Sequence, residues 1–180
     1  NTAALMFGGW EVPLGFSAAT ESYNGSTWTS VSSLNTARWG LGGAGTQTAS
    51  LAFGGTTNST ESWNGSSWTT IPANINTSRE MSTGIGLQTA ALAVGSGTNS
   101  ESYNGTIWTA TPALNTSRSA GSTNGAGTQT AGLVFGGSGF STGSTESWNG
   151  ASWATTTNMA TARDGLAGCG TQTSALAAGG

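Results

Sequence analysis

The chain has 180 residues, a formal net charge of −3, four arginines, no lysine and no histidine, and only 6 % charged residues. So few and scattered cations exclude a nucleic-acid-binding face, which needs clustered base. The missing imidazole excludes Ser-His-Asp and Cys-His nucleophile systems and most zinc sites. No apolar run approaches a membrane span, and no secretory signal is present. A lone Cys169 cannot build a disulfide framework and reads as a small core residue. Thirty glycines would suggest disorder if aperiodic, but they are periodic and accompany eight tryptophans, which points to a folded β protein with a modest core.

In chain order, the first predicted strand is TAALMFGG, from Thr2 to Gly9. The chain opens inside it without Met, as a processed product or a piece of a longer protein would. A loop carrying Trp10, Glu11 and Phe16 follows. Then come a strand ending at Tyr23, an Asn24-Gly25 turn, a strand opening at Trp28, and a linker ending LNTAR at Arg38. The Gly-rich strand GLGGAG and a G-x-Q-T segment lead into TASLAFGG, after which the order recurs. Asn-Gly turns stand at residues 24, 64, 104 and 149, spaced 40, 40 and 45 apart. The G-x-Q-T glycines stand at 45, 86, 127 and 170, spaced 41, 41 and 43. Such a period must be settled before any other reading.

Each unit holds a Gly-rich strand, an apolar strand ending in Gly, a strand ending in an aromatic, and a strand with a Trp. Four short antiparallel strands in about forty residues match a propeller blade, with a stacked β-solenoid as the alternative. Leu51 and Phe53 share a face by strand alternation. Asn-Gly between Trp63 and Ser66 predicts a two-residue hairpin with positive φ at both central positions. That turn would make Trp63 and Trp68 diagonal neighbours.

The Gly-rich strand, the apolar strand ending Gly-Gly, S-x-E-x-aromatic, the turn, the Trp and the linker ending in Arg together resemble the kelch repeat over essentially all 180 residues. The usual Pro before the Arg is missing. N-T-[AS]-R stands there in three copies and T-A-R in the fourth. The wording TESWNGSSWTT, LNTAR and GTQTA is similar to kelch-like repeat proteins of marine bacteriophages. The resemblance implies an all-β kelch-like propeller of about four repeats and one extra strand, in a single repeat domain over residues 1–180. The tally is four Gly-rich, five apolar, four aromatic and four Trp strands. One of Thr2–Gly9 and Thr173–Gly180 is therefore surplus to a four-bladed ring, is donated to another chain, or belongs to a longer array.

For function, the same resemblance implies a non-enzymatic structural and recognition module, extracellular or on a virion surface such as a tail fibre. No histidine means no copper site of the galactose-oxidase type, and no cofactor or metal is expected. SYNGSTW at Ser22–Trp28 resembles a sialidase Asp-box but is one residue short, with Asn for Asp. A glycosidase needs two facing carboxylates, which the chain does not announce.

Charge is ordered by the repeat. Arg38, Arg79, Arg118 and Arg163 occupy one position and Glu21, Glu61, Glu101 and Glu146 another, which predicts a structural ion pair per unit held by bidentate hydrogen bonds. The remaining acids break the repeat. Glu80 and Asp164 follow the Arg where other copies carry Trp39 and Ser119, and Glu11 lies in the first long loop. Length variation sits in the loop after the apolar strand. In an up-and-down blade that loop and the Arg linker emerge on one face, opposite the Asn-Gly and G-x-Q-T turns. Variable loops on a fixed scaffold are where recognition sits. The candidate ligand-binding set is Trp10, Glu11, Phe16, Trp39, Glu80, Phe140 and Asp164, facing a cell-surface glycan or protein. The rival readings are an architectural subunit that assembles by strand addition, with itself or other virion proteins as partner, and a secreted glycosidase.

Overall fold

The structure is a computed structural model that describes residues 2–80, 82–118, 124–137 and 143–180. Ser119 and Phe140 lie outside the described residues. The described chain is all-β, without a helix. The elements are β1 (Ala4–Phe7), β2 (Trp10–Glu11), β3 (Gly15–Phe16), β4 (Thr20–Tyr23), β5 (Trp28–Val31), β6 (Leu41–Thr46), β7 (Ala49–Gly54), β8 (Thr60–Trp63), β9 (Trp68–Ile71) and β10 (Thr83–Leu87). They continue with β11 (Ala90–Val94), β12 (Ser100–Tyr103), β13 (Trp108–Ala110), β14 (Asn124–Gly127), β15 (Gly132–Phe135), β16 (Thr145–Trp148), β17 (Trp153–Thr156), β18 (Leu166–Gly170) and β19 (Ala175–Gly179). The first sheet has order β1-β4-β5. The second, third and fourth are four-stranded antiparallel sheets, β6 to β9, β10 to β13 and β14 to β17. Two two-stranded pairs complete the set, β2-β3 in the first long loop and β18-β19 after the fourth sheet.

The Gly-rich strands β6, β10, β14 and β18 pack in sequence, each against the next. Glycine is required there by close approach: a Cβ at Gly84 would overlap the carbonyl of Gly43, and one at Gly43 would sit 2.7 Å from the Phe7 ring. Together these strands line a cavity of about 250 Å³ with Gly43, Gly84, Gly125 and Gly170 on its wall.

Strand alternation places one face of each apolar strand against the sheet before it and the other against the sheet after it. Leu5 and Phe7 pack with Ala52, Trp63 and Trp68 of the second sheet. Leu51 and Phe53 pack with Ala91, Ala93, Tyr103 and Trp108 of the third. Leu92 and Val94 pack with Val134, Trp148 and Trp153 of the fourth. The core is thus a series of layers between successive sheets.

Two expectations are corrected. The Asn-Gly turn is not a two-residue loop: β8 ends at Trp63 and β9 begins at Trp68, and the rings are direct partners 5.3 Å apart. Only Gly65 takes positive φ. The Asn64 side-chain oxygen accepts from the amides of Ser66 and Ser67, each at 2.9 Å, so the amide side chain, rather than a left-handed backbone, makes the turn. Cys169 is exposed, not core. Its counterparts Ala44, Ile85 and Ala126 are buried, each with a further Gly-rich strand packed beyond it.

Candidate functional site

Backbone hydrogen bonds tie the loop after each apolar strand to the Arg linker of the same unit. Gly9 donates to the Arg38 carbonyl, Gly55 to Arg79, Gly97 to Arg118 and Gly137 to Arg163, at 2.8 to 3.1 Å. The variable loops and the positions after each Arg therefore share one rim. The Asn-Gly and G-x-Q-T turns meet elsewhere: Gly65 faces Thr48, Gly105 faces Thr89 and Gly150 faces Thr130.

In the first unit the loop grows into a hairpin. Trp10 pairs across from Phe16, and Glu11 from Gly15. The Ser17 amide donates to the Gly9 carbonyl, and the Arg38 amide to the Ser17 carbonyl, which clamps the hairpin to the linker. The next linker residue, Trp39, meets Trp10 edge-to-face at 6.3 Å, and Phe16 meets Trp10 at 5.5 Å. Trp10 is 60 % exposed and Phe16 48 %. Val12 and Leu14 at the tip are also exposed, and sequence reasoning passed over them although they lie within the apolar run WEVPLGF. Three rings and two aliphatic side chains make a protruding apolar patch. Apolar patches of this kind mark contact sites. The cavities described here lie elsewhere, so the patch suits an extended surface rather than an enclosed small molecule.

The structure thus brings Trp10, Glu11, Phe16 and Trp39 together. Glu80 and Asp164 are exposed on the rim at the same repeat position of other units, and among the described residues no hydrogen bond or ion pair joins them to the aromatic cluster. Among the described residues no group of three or more His, Cys, Asp or Glu is placed to hold a metal ion.

The expected ion pairs form at three junctions, and they bridge consecutive units: Arg38 pairs with Glu61, Arg79 with Glu101 and Arg118 with Glu146. One expectation is corrected: they are not bidentate. Arg38 gives one Nη to Glu61 Oε1 at 2.8 Å and the other to the carbonyls of Gly54 and Ser59. The second Glu61 oxygen accepts from the Asn35 amide at 2.7 Å and its Nδ2 at 2.8 Å. Burial pushes all three guanidinium pKa values down, opposed by the glutamate at each site. Among the described residues Glu21 and Arg163 form no ion pair, and Arg163 donates to the Gly179 carbonyl at 3.0 Å.

The bonding roles of three further repeated side chains escaped the sequence reading, although each recurs in register. Asn35, Asn76 and Asn115 clamp the glutamates. Gln47 reaches back to Ser22 and the Tyr23 carbonyl, and Gln88, Gln129 and Gln172 repeat the reach. Trp68, Trp108 and Trp153 donate to Thr20, Thr60 and Ser100 of the preceding sheet at 3.0 to 3.3 Å.

No family model matches the chain, and no curated protein matches it.

Proposed function

We propose that the chain is a non-enzymatic recognition module. In this reading the sheets are blades of a kelch-like propeller, carried on a virion fibre or similar extracellular surface, and the rim binds a host-surface glycan or protein. The observation that carries it is the cluster of exposed Trp10 and Phe16, on a hairpin clamped to a rigid framework, with the half-buried Trp39 of the linker beside them. Aromatic faces stack on sugar rings and anchor protein interfaces. Holding them on a short hairpin cuts the ordering cost of binding. Glu11, beside the cluster, supplies a carboxylate that can accept hydrogen bonds from sugar hydroxyls. The sequence resemblance to phage kelch-like proteins supplies the biological setting.

The test is binding of the purified chain to a glycan array and to intact bacterial cells. Replacing Trp10, Phe16 and Trp39 together with Ala abolishes binding while the circular dichroism and melting curve stay close to wild type. Binding that survives the triple change overturns the reading. Hydrolysis of a bound glycan, lost on changing Glu80 or Asp164, would replace it with the glycosidase reading.

A further inference from the structure

Each internal junction is built from two halves. The leading sheet offers a hydroxyl (Thr20, Thr60 or Ser100) and, from its linker, an aliphatic side chain and the Arg. The following sheet offers the Trp and the Glu. Three junctions are complete. The chain's two outer faces each present one unfilled half. On the first sheet Trp28 is 50 % exposed, whereas Trp68, Trp108 and Trp153 are 5–6 % exposed, and Glu21 has no cation among the described residues. Behind the fourth sheet, Phe135, Thr145, Met159, Ala175 and Ala177 line a cavity of about 200 Å³, where the next Trp would sit. Arg163 stands beside it. Its Nη1 is on the Gly179 carbonyl just as Arg38 Nη1 is on the Gly54 carbonyl, and among the described residues no carboxylate pairs with its other amine.

The sheet edges are complementary too. The first sheet lacks a Gly-rich strand beside β1, and there a cavity of about 320 Å³ is lined by Ala4, Leu5, Phe7, Gly43, Ala44 and Gly45. β18 is a Gly-rich strand whose present partner is β19. TAALMFGG at β1 and TSALAAGG at β19 match position for position, but they are not held equally. Phe7 of β1 packs on Trp68 at 4.9 Å, whereas Leu176 of β19 is 64 % exposed. Among the described residues no hydrogen bond or ion pair joins the first sheet to β18 or β19 within one chain.

We propose that copies of this chain assemble head to tail. The first sheet of one copy docks on β18 of a second in place of β19. Trp28 fills the pocket at Phe135 and donates to Thr145, Glu21 pairs with Arg163, and β18 adds as a strand to β1. Unlike halves on opposite ends make a heterologous contact, which closes a ring or continues as a filament. Ala160 stands where the other linkers carry Asn35, Asn76 and Asn115, so this junction lacks one clamp and assembly is concentration-dependent.

The test is light scattering with chromatography on the 180-residue chain across a concentration series, alongside tryptophan fluorescence. The wild-type mass rises above one chain, and the emission shifts to the blue as Trp28 is buried. Glu21→Arg and Arg163→Glu each stay monomeric with unchanged circular dichroism, association being weakened by about thirtyfold or more. Mixing the two variants restores association, because one charge-reversed pair then forms, and carrying both changes in one chain restores it fully. A wild-type chain that stays monomeric at every concentration overturns the proposal, including the case where Trp28 is found buried by closure within one chain. So does an assembly indifferent to both charge reversals.

Discussion

The seams between sheets and the rim above them are made of the same residue types to opposite ends. At the seams, Trp and Glu are buried, each hydrogen-bonded, and repeated in register, with a linker Asn on the outer side of each Glu. At the rim of the first unit, Trp and Glu are exposed and occur once. The difference teaches that burial and repetition mark the framework, and that departure from the repeat marks the surface open to selection for contact.

The largest effects are expected where a seam is cut. Trp108→Ala removes a ring packed on Phe53 at 4.8 Å and hydrogen-bonded to Thr60; it should cost about 3–5 kcal/mol in a denaturant titration. Trp28→Ala, at the exposed equivalent, should cost well under half of that. Next in size, Glu101→Gln leaves the buried Arg79 without its counter-charge and should cost about 3 kcal/mol or more. Glu21→Gln, on the open face, should stay within about 0.5 kcal/mol of wild type. A Glu101 change as mild as the Glu21 change would break the contrast. Asn115→Ala, which removes the side-chain bond to Glu146 and that to the Trp153 carbonyl, should cost about 1–2 kcal/mol. Smallest of all, Trp10→Ala should lower stability by about 1 kcal/mol or less while removing most binding to cells or glycans. A Trp10 variant that unfolds, or that binds normally, would erase the distinction between rim and seam.

Much of the framework was legible because its signals are local and repeated. The four Gly-rich, five apolar, four aromatic and four Trp strands read from the sequence all form. The shared rim of Trp10, Phe16 and Trp39 was legible from loop lengths and alternating strand direction. What failed needed information that a period does not hold. A recurring Glu and Arg give two positions but not whether they meet inside a unit or across two; the answer depends on how Arg38 crosses from its own linker into the next sheet. The turn failed because Asn64 was weighed for its backbone preference and not for the oxygen that binds two amides. Cys169 failed because burial at that position depends on a neighbour, and the residue is in the last copy. Val12 and Leu14 were missed because aliphatic residues in a loop carry no chemical signature of their own.

The seams also have a consequence for how such a chain can change length. Because each junction takes its parts from two adjacent units in the same way, a segment running from one linker arginine to the next, such as residues 39–79, carries one complete set of matching ends. Excising or duplicating that segment leaves no mismatched joint, and whatever loop it bears on its rim travels with it. Recombination between the near-identical stretches can therefore shuffle rim loops like cards in a hand without disturbing the rest of the deck.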